Sequence, residues 1–280
     1  VKHLEGLGWT VSYLTVDQYG KIDATEFSQY LQDNTKIVSI MLVNNELGSI
    51  LPVAEIGKII ERENQDRQQK IIFHVDAIQA LGNMPCRIPE FKAHLCTLSG
   101  HKIFGPKGIG LLYAKREAQL RPIIFGGNQE NGLRSGTENI PAIVGLSKAV
   151  QLATENLTTN ISKLNSLKDA LVKGINTIPD STINSPPDGS PHIINASFPG
   201  IRGEVLVHFL EQRSIFVSMG AACSSKKKGV SHVLEAVGLG QEEILSSIRL
   251  SLSPEITLAQ IDYVVYSLKE TVEEIRDIYI

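Results

Sequence analysis

Three apolar runs of this chain end in polar clusters whose residue types could do chemistry together. Asn44-Asn45-Glu46 follows the run at 36–43, Asp76 follows 71–75, and Ser99-Gly100-His101-Lys102 follows 95–98. A carboxylate, an amide and a lysine meeting at one crevice are what a Schiff-base cofactor requires. The lysine amine forms the Schiff base, and desolvation among cationic or apolar neighbours lowers its pKa until it is nucleophilic. The carboxylate keeps a pyridine nitrogen protonated, so the ring accepts electrons from the substrate α-carbon. Taken singly, an Asp in the place of Asp76 is more often a helix cap and a Lys in the place of Lys102 more often a surface or loop residue. Their arrangement on successive strand ends, where open parallel sheets gather functional groups, favours the chemical reading.

The three cysteines, Cys86, Cys96 and Cys223, contain no CxxC pair. This argues against a disulfide framework or a zinc site and for a reducing compartment. Cys86 and Cys96 read as small buried hydrophobes. Cys223 stands apart, in Ser218-Met219-Gly220-Ala221-Ala222-Cys223-Ser224-Ser225 ahead of Lys226, Lys227 and Lys228. Small and polar neighbours make it an exposed loop residue, and nearby positive charge favours the nucleophilic thiolate.

The elements that must position these groups alternate in the manner of βαβ units with a mostly parallel sheet. Strands are expected at 10–16, 36–43, 71–75, 95–98 and 109–114, the second apolar enough to be buried on both faces. A helix is expected at 25–32 behind the capping residue Asp23, and another after Pro52, where Val53, Ile56, Ile59 and Ile60 recur at helical spacing. A glycine-rich loop from Gly126 to Gly136 leads into one long helical region at 141–176. After a turn-rich stretch at 179–191 the pattern reads strand (193–198), helix (204–211), strand (215–218), then the Cys223 loop and helices near 231–237 and 258–275. The residues around Arg249 alternate as a half-buried strand would. A domain boundary is expected inside the long helix, giving domains 1–157 and 158–280.

The chain has 280 residues, 42% hydrophobic and 20% charged, with a formal net charge of -3. That composition belongs to an ordinary globular protein and supplies no electrostatic reason to bind nucleic acid or an anionic membrane. No stretch approaches the roughly 20 apolar residues of a membrane-spanning helix, and residues 1–9 lack the features of a signal peptide.

The segment Ser99-Gly100-His101-Lys102-Ile103-Phe104-Gly105-Pro106-Lys107-Gly108 resembles the cofactor-lysine signature of the cysteine desulfurases, within the class-V aminotransferase family. Val43-Asn44-Asn45-Glu46-Leu47-Gly48, His74-Val75-Asp76-Ala77-Ile78-Gln79 and Arg134-Ser135-Gly136-Thr137-Glu138-Asn139 resemble that family too, in the family's order. The resemblance implies an α/β fold of the aspartate-aminotransferase-like type (fold type I), with a large domain and a smaller α/β C-terminal domain. It also implies pyridoxal 5'-phosphate as cofactor, with Lys102 as its Schiff-base lysine and Asp76 as partner of the pyridinium nitrogen. By the same resemblance, Asn45 and Gln79 bond the ring hydroxyl region, while Ser99 and His101 hold the phosphate. His101 is also a candidate for stacking on the ring or relaying protons. Thr137 would reach the phosphate of the other subunit, which implies a homodimer with shared sites, and Arg249 would clamp the substrate carboxylate. Cys223 would attack the sulfur of L-cysteine, giving a persulfide and alanine. A sulfur-acceptor protein, such as an iron–sulfur scaffold, is the implied partner. Neither nucleic acid nor membrane is expected as one.

The family's chain extends further at its start, and position 1 here is Val rather than Met. A chain beginning inside a larger protein is therefore expected, with any targeting peptide in the preceding part and a cytoplasmic or organellar location. The 280 residues alone would then show a weakened cofactor site and an exposed apolar sheet edge or face. Selenocysteine lyase is the competing enzyme reading. An inert scaffold that docks on sulfur-transfer partners is the competing non-enzyme reading.

Overall fold

The computed structural model describes residues 1–219 and 230–279. Cys223 and the three lysines after it lie outside the described residues, as does Ile280.

The first sheet contains β1 (Ile37–Met41), β2 (Ile72–Asp76), β3 (Leu95–Ser99) and β4 (Gly110–Ala114), side by side in that order. The first three run parallel, with Met41 opposite Asp76 and Asp76 opposite Thr97. β4 returns antiparallel to β3, with Ser99 opposite Gly110. Parallel neighbours need a crossover, which α2 (Val53–Asp66) supplies between β1 and β2. Its buried stripe of Val53, Ile56 and Ile60 packs with Phe73, Val75 and Cys96 in the core of this half. Alternation along β2 sends Phe73 and Val75 into that core and leaves His74 and Asp76 on the opposite face.

A second sheet contains β5 (Thr182–Ile183), β6 (Ile193–Ser197), β7 (Ser218–Met219) and β8 (Ser247–Ser251), ordered β5-β6-β8-β7 and antiparallel throughout. Helices α4 (Leu157–Ile175), α5 (Gly203–Gln212) and α8 (Leu258–Tyr279) contribute to its core. Leu164, Leu171, Leu206, Leu210, Leu268 and Val272 are fully or almost fully buried there. The remaining helices are α1 (Lys2–Gly6), α3 (Ile140–Glu155), α6 (His232–Ala236) and α7 (Gln241–Leu245). No helix among the described residues is long and apolar enough to cross a membrane.

Four expectations are corrected. Residues 10–16 form no strand, because no described strand pairs with them. Residues 10–14 of this stretch line a cavity of about 640 Å³ beside β1 instead. The helix expected at 25–32 is a single 3-10 turn, Phe27–Tyr30, while the Asp23 carboxylate accepts the Thr25 N–H at 2.7 Å. β1 is not buried on both faces: it is the edge strand, and Ile37 is 55% exposed. The long helix at 141–176 is two helices broken at Asn156, whose amide donates to the Leu152 carbonyl at 3.0 Å. An Asn side chain competing for backbone groups is a common cause of such a break.

The halves are tied by polar contacts. Lys21 Nζ meets Asp188 Oδ2 at 2.6 Å, and the Ser190 N–H donates to the Gly48 carbonyl at 2.7 Å. Within the second half, buried Lys168 donates to the carbonyls of Pro186, Pro187 and Gly189 at 3.1–3.4 Å. Burial lowers its pKa, against an upward pull from Asp169 and Asp188.

Candidate active site

Asp76 ends β2 on the face that also carries His74, so the carboxylate leaves the sheet on the side away from the core. Its Oδ1 accepts the Ile78 N–H at 3.0 Å, which fixes the carboxyl plane, and no hydrogen bond among the described residues uses Oδ2. Behind it a polar row crosses three strands. Ser39 Oγ lies 2.8 Å from His74 Nδ1, and His74 Nε2 lies 3.2 Å from Thr97 Oγ1. Burial lowers the His74 pKa, opposed by the charge of Asp76.

Lys102 sits in the 3-10 turn Gly100–Ile103 immediately beyond β3. Gly100 permits that turn, since a Cβ there would press on Ile109 and on the Pro106 carbonyl. Ile103 anchors the turn by burying against Leu146 and Ala149 of α3, leaving Lys102 half-buried and His101 exposed. Ser99 Oγ and His101 Nδ1 stand 2.7 Å apart, so the two residues expected at the phosphate are joined to each other.

Arg249 comes from the second sheet. It lies in β8 between Asn195 of β6 and Ser218 of β7, and its Nη1 donates to the Asn45 carbonyl at 3.0 Å. Its Nη2 is 3.4 Å from Ser218 Oγ. The turn that carries Asn45 is held from within, because Asn44 Oδ1 accepts the N–H groups of Glu46 and Leu47. It is also held from the second half, where Ser231 Oγ donates to buried Glu46 at 2.6 Å.

Buried Gln79 meets buried His192, with Oε1 and Nε2 3.3 Å apart, and His192 Nδ1 lies 2.6 Å from Ser190 Oγ. Burial pushes the His192 pKa down to about 4, with the charges of Arg249, Lys102 and Lys168 acting in the same direction. Arg249 is thereby joined to the turn after β1, and His192 is joined through Gln79 to the turn after β2. Asn45, Asp76, Gln79, Ser99, His101 and Lys102 thus gather at the carboxyl ends of β1, β2 and β3, with Arg249 reaching in from β8. Thr137 is not among them: it is exposed, and no hydrogen bond of the described residues links it to the group. Glu46 and His74 entered the sequence reading only as members of the cluster and motif that contain them, and Lys168 and His192 did not enter it. Their partners are set by tertiary contacts, and no local spacing announces them.

A phosphorylated pyridine aldehyde fits this donor set. Lys102 offers an amine, Asp76 an uncommitted carboxylate oxygen beside a fixed one, Gln79 an amide, and Ser99 with His101 short donors next to a glycine turn.

The aminotransferase class-V family profile matches residues 1–264. The chain is 40% identical over 278 residues to a cysteine desulfurase IscS of Clostridium botulinum, covering 98% of this chain and 68% of that one. It is 42% identical over 277 residues to a cysteine desulfurase of a Nostoc species, again covering 98% of this chain and 68% of the relative. Among solved structures, a NifS-like protein superposes with a TM-score of 0.89 at 34% identity, covering 98% of this chain and 71% of that one. A NifS-like protein from Rickettsia africae gives 0.82 at 32% identity, covering 93% and 69%.

Proposed function

The chain belongs to the class-V aminotransferase family and, within it, to the cysteine desulfurases, and from that premise we propose that it takes sulfur from L-cysteine, releases L-alanine and carries the sulfur on Cys223. Pyridoxal phosphate, when bound, supplies the electron sink that makes the substrate α-carbon acidic. Every other task falls to side chains of the protein.

Lys102 would hold the cofactor through Nζ and, once displaced by the substrate amine, move the α-proton at that same atom. Asp76 would keep the pyridine nitrogen protonated through Oδ2, with Oδ1 already committed to the Ile78 N–H. Gln79 and Asn45 would address the ring hydroxyl, Ser99 and His101 the phosphate, and Thr137 the phosphate of a partner subunit. Arg249 would clamp the carboxylate of cysteine. In the sulfur step the Cys223 thiolate forms an S–S bond to the substrate sulfur as the substrate Cβ–S bond breaks. The released electron pair and a proton end on Cβ, which becomes the methyl group of alanine.

The observation that carries this reading is the arrival of Arg249 from β8 on the Asn45 carbonyl, beside the strand end that presents Asp76. We further infer a homodimer, an iron–sulfur scaffold or similar protein as sulfur acceptor, and a cytoplasmic location. The name IscS among the relatives supports the acceptor class. A division into domains 1–157 and 158–280 is supported by the helix break at Asn156 and by one core drawn wholly from residues beyond it. The test is an absorbance spectrum of the purified chain with added pyridoxal phosphate, before and after L-cysteine, with alanine measured in parallel. A visible band that shifts on adding cysteine, accompanied by alanine, is expected. A flat spectrum with no alanine at saturating cofactor would contradict the proposal for this chain.

A further inference from the structure

The contact between Gln79 and His192 raises a question about which end of an amide faces the cofactor. A glutamine side chain is nearly symmetric in shape but opposite in hydrogen bonding, with an acceptor oxygen at one end and a donor NH2 at the other. Nothing in its packing volume decides between the two orientations. A neighbour with a fixed proton can decide, and His192 is such a neighbour.

Proton counting fixes its tautomer. His192 and Ser190 are buried, at 7% and 0% exposure. The charged groups that bear on the imidazole are Arg249 from β8, Lys102 from the turn after β3 and Lys168 from α4, all of them cations. A ring buried among cations is neutral and carries one N–H. The Ser190 hydroxyl hydrogen also needs an acceptor, and its only side-chain partner among the described residues is His192 Nδ1 at 2.6 Å. Nδ1 therefore accepts, and the ring proton sits on Nε2, 3.3 Å from Gln79. An N–H at that position requires the carbonyl oxygen of Gln79 and turns its NH2 to the other side. No hydrogen bond of the described residues engages that NH2.

We propose that His192 is a positioning residue: through the chain Ser190–His192–Gln79 it fixes the Gln79 amide so that the donor end is the one presented to the ring oxygen of the cofactor. The inference rests on the reading of Gln79 as a cofactor ligand. Its chemical sense is that the ring oxygen becomes anionic when the neighbouring nitrogen is protonated, so a carbonyl turned toward it would repel and an NH2 attracts.

The proposal makes the imidazole state measurable without turnover. In the full chain free of cofactor, nitrogen-15 NMR of the histidines should show His192 as the Nε2–H tautomer at neutral pH. Pyridoxal phosphate affinity, read by absorbance titration, should weaken about ten-fold in His192→Phe, the value of one buried hydrogen bond. In a Gln79→Ala background the same substitution should change affinity by about two-fold or less, because its target is gone. His192→Gln, whose side-chain NH2 reaches the place of the imidazole Nε2 and can still donate to Gln79, should recover most of the loss. An Nδ1–H tautomer would overturn the proposal, as would an equal loss of affinity from His192→Phe in both backgrounds. If the unsubstituted chain binds no cofactor, the functional reading falls, and the tautomer measurement still decides the orientation of Gln79.

Discussion

His192 also gives the molecule a pH signature. Its pKa is held near 4 in the folded chain against an ordinary 6.5, so between those values the unfolded chain binds the extra proton. Its share of stability is complete above about pH 6.5 and is lost as pH falls toward 4, in total about 3 kcal/mol. His74 and His94, also lowered mainly by burial, act in the same direction. Urea midpoints measured from pH 7 to pH 4 should fall, and His192→Phe should flatten that fall. An unchanged slope would show that the imidazole is not the source. The cysteines separate in a similar way. Burial pushes Cys96 up to about 12 and Cys86 up to about 11, so neither is a nucleophile at neutral pH. Iodoacetamide at pH 7.5 should label Cys223 alone, as read by peptide mass spectrometry, and a label on Cys96 would contradict this. Lys102→Ala should abolish the visible band with pyridoxal phosphate, whereas Cys223→Ser should keep the band and lose the persulfide. The placement of Asp76 and Lys102 at successive strand ends was legible in the sequence because apolar runs stop just before them. His192 and Lys168 were not, since the first bonds a residue 113 positions away and the second serves carbonyls that no side-chain pattern marks.

At the scale of elements, what the sequence revealed was periodicity, and what it concealed was partnership. The apolar runs that became β1, β2 and β3 were visible as runs, and the stripe of α2 was visible as a stripe. Residues 10–16 carry the same β-branched character yet stay outside both sheets, because a strand exists only where another strand takes up its hydrogen bonds. The exposure of β1 was misjudged for a related reason: Ile37 and Val38 are apolar enough for a central strand, but the sheet ends there. One close approach between elements is sharply testable. Gly57 faces the turn at Ile88–Phe91, and a Cβ on it would collide with the Phe91 carbonyl. Backbone cannot move aside as a side-chain tip can. Gly57→Ala should therefore cost about 2–3 kcal/mol in urea unfolding, although alanine is otherwise the better helix former. A stabilised variant would show that the α2 crossover is looser than described.

The whole molecule leaves large apolar side chains in water. Ile123 is 88% exposed and Phe125 81%, and Phe104, Leu111 and Leu112 are also open. A homodimer would cover part of such surface, and sedimentation at micromolar concentration should give a mass above the 30.6 kDa of one copy. Ile123→Ser with Phe125→Ser should shift the balance toward monomer, whereas a wild-type monomer would contradict the dimer.

The ties that complete the site are distant along the chain as well as across the fold. Ser231 reaches Glu46 over 185 positions, and Arg249 reaches Asn45 over 204. A nascent chain leaving the ribosome therefore has all four strands of its first sheet by Ala114, yet waits more than a hundred residues for the groups that clasp the Asn45 turn. Local structure forms early and long loops close late. In this protein the clasp on the Asn45 turn arrives late: a polypeptide interrupted between Ala114 and Ser231 carries the first sheet without it, and one interrupted between Ser231 and Arg249 has the turn held from Glu46 alone.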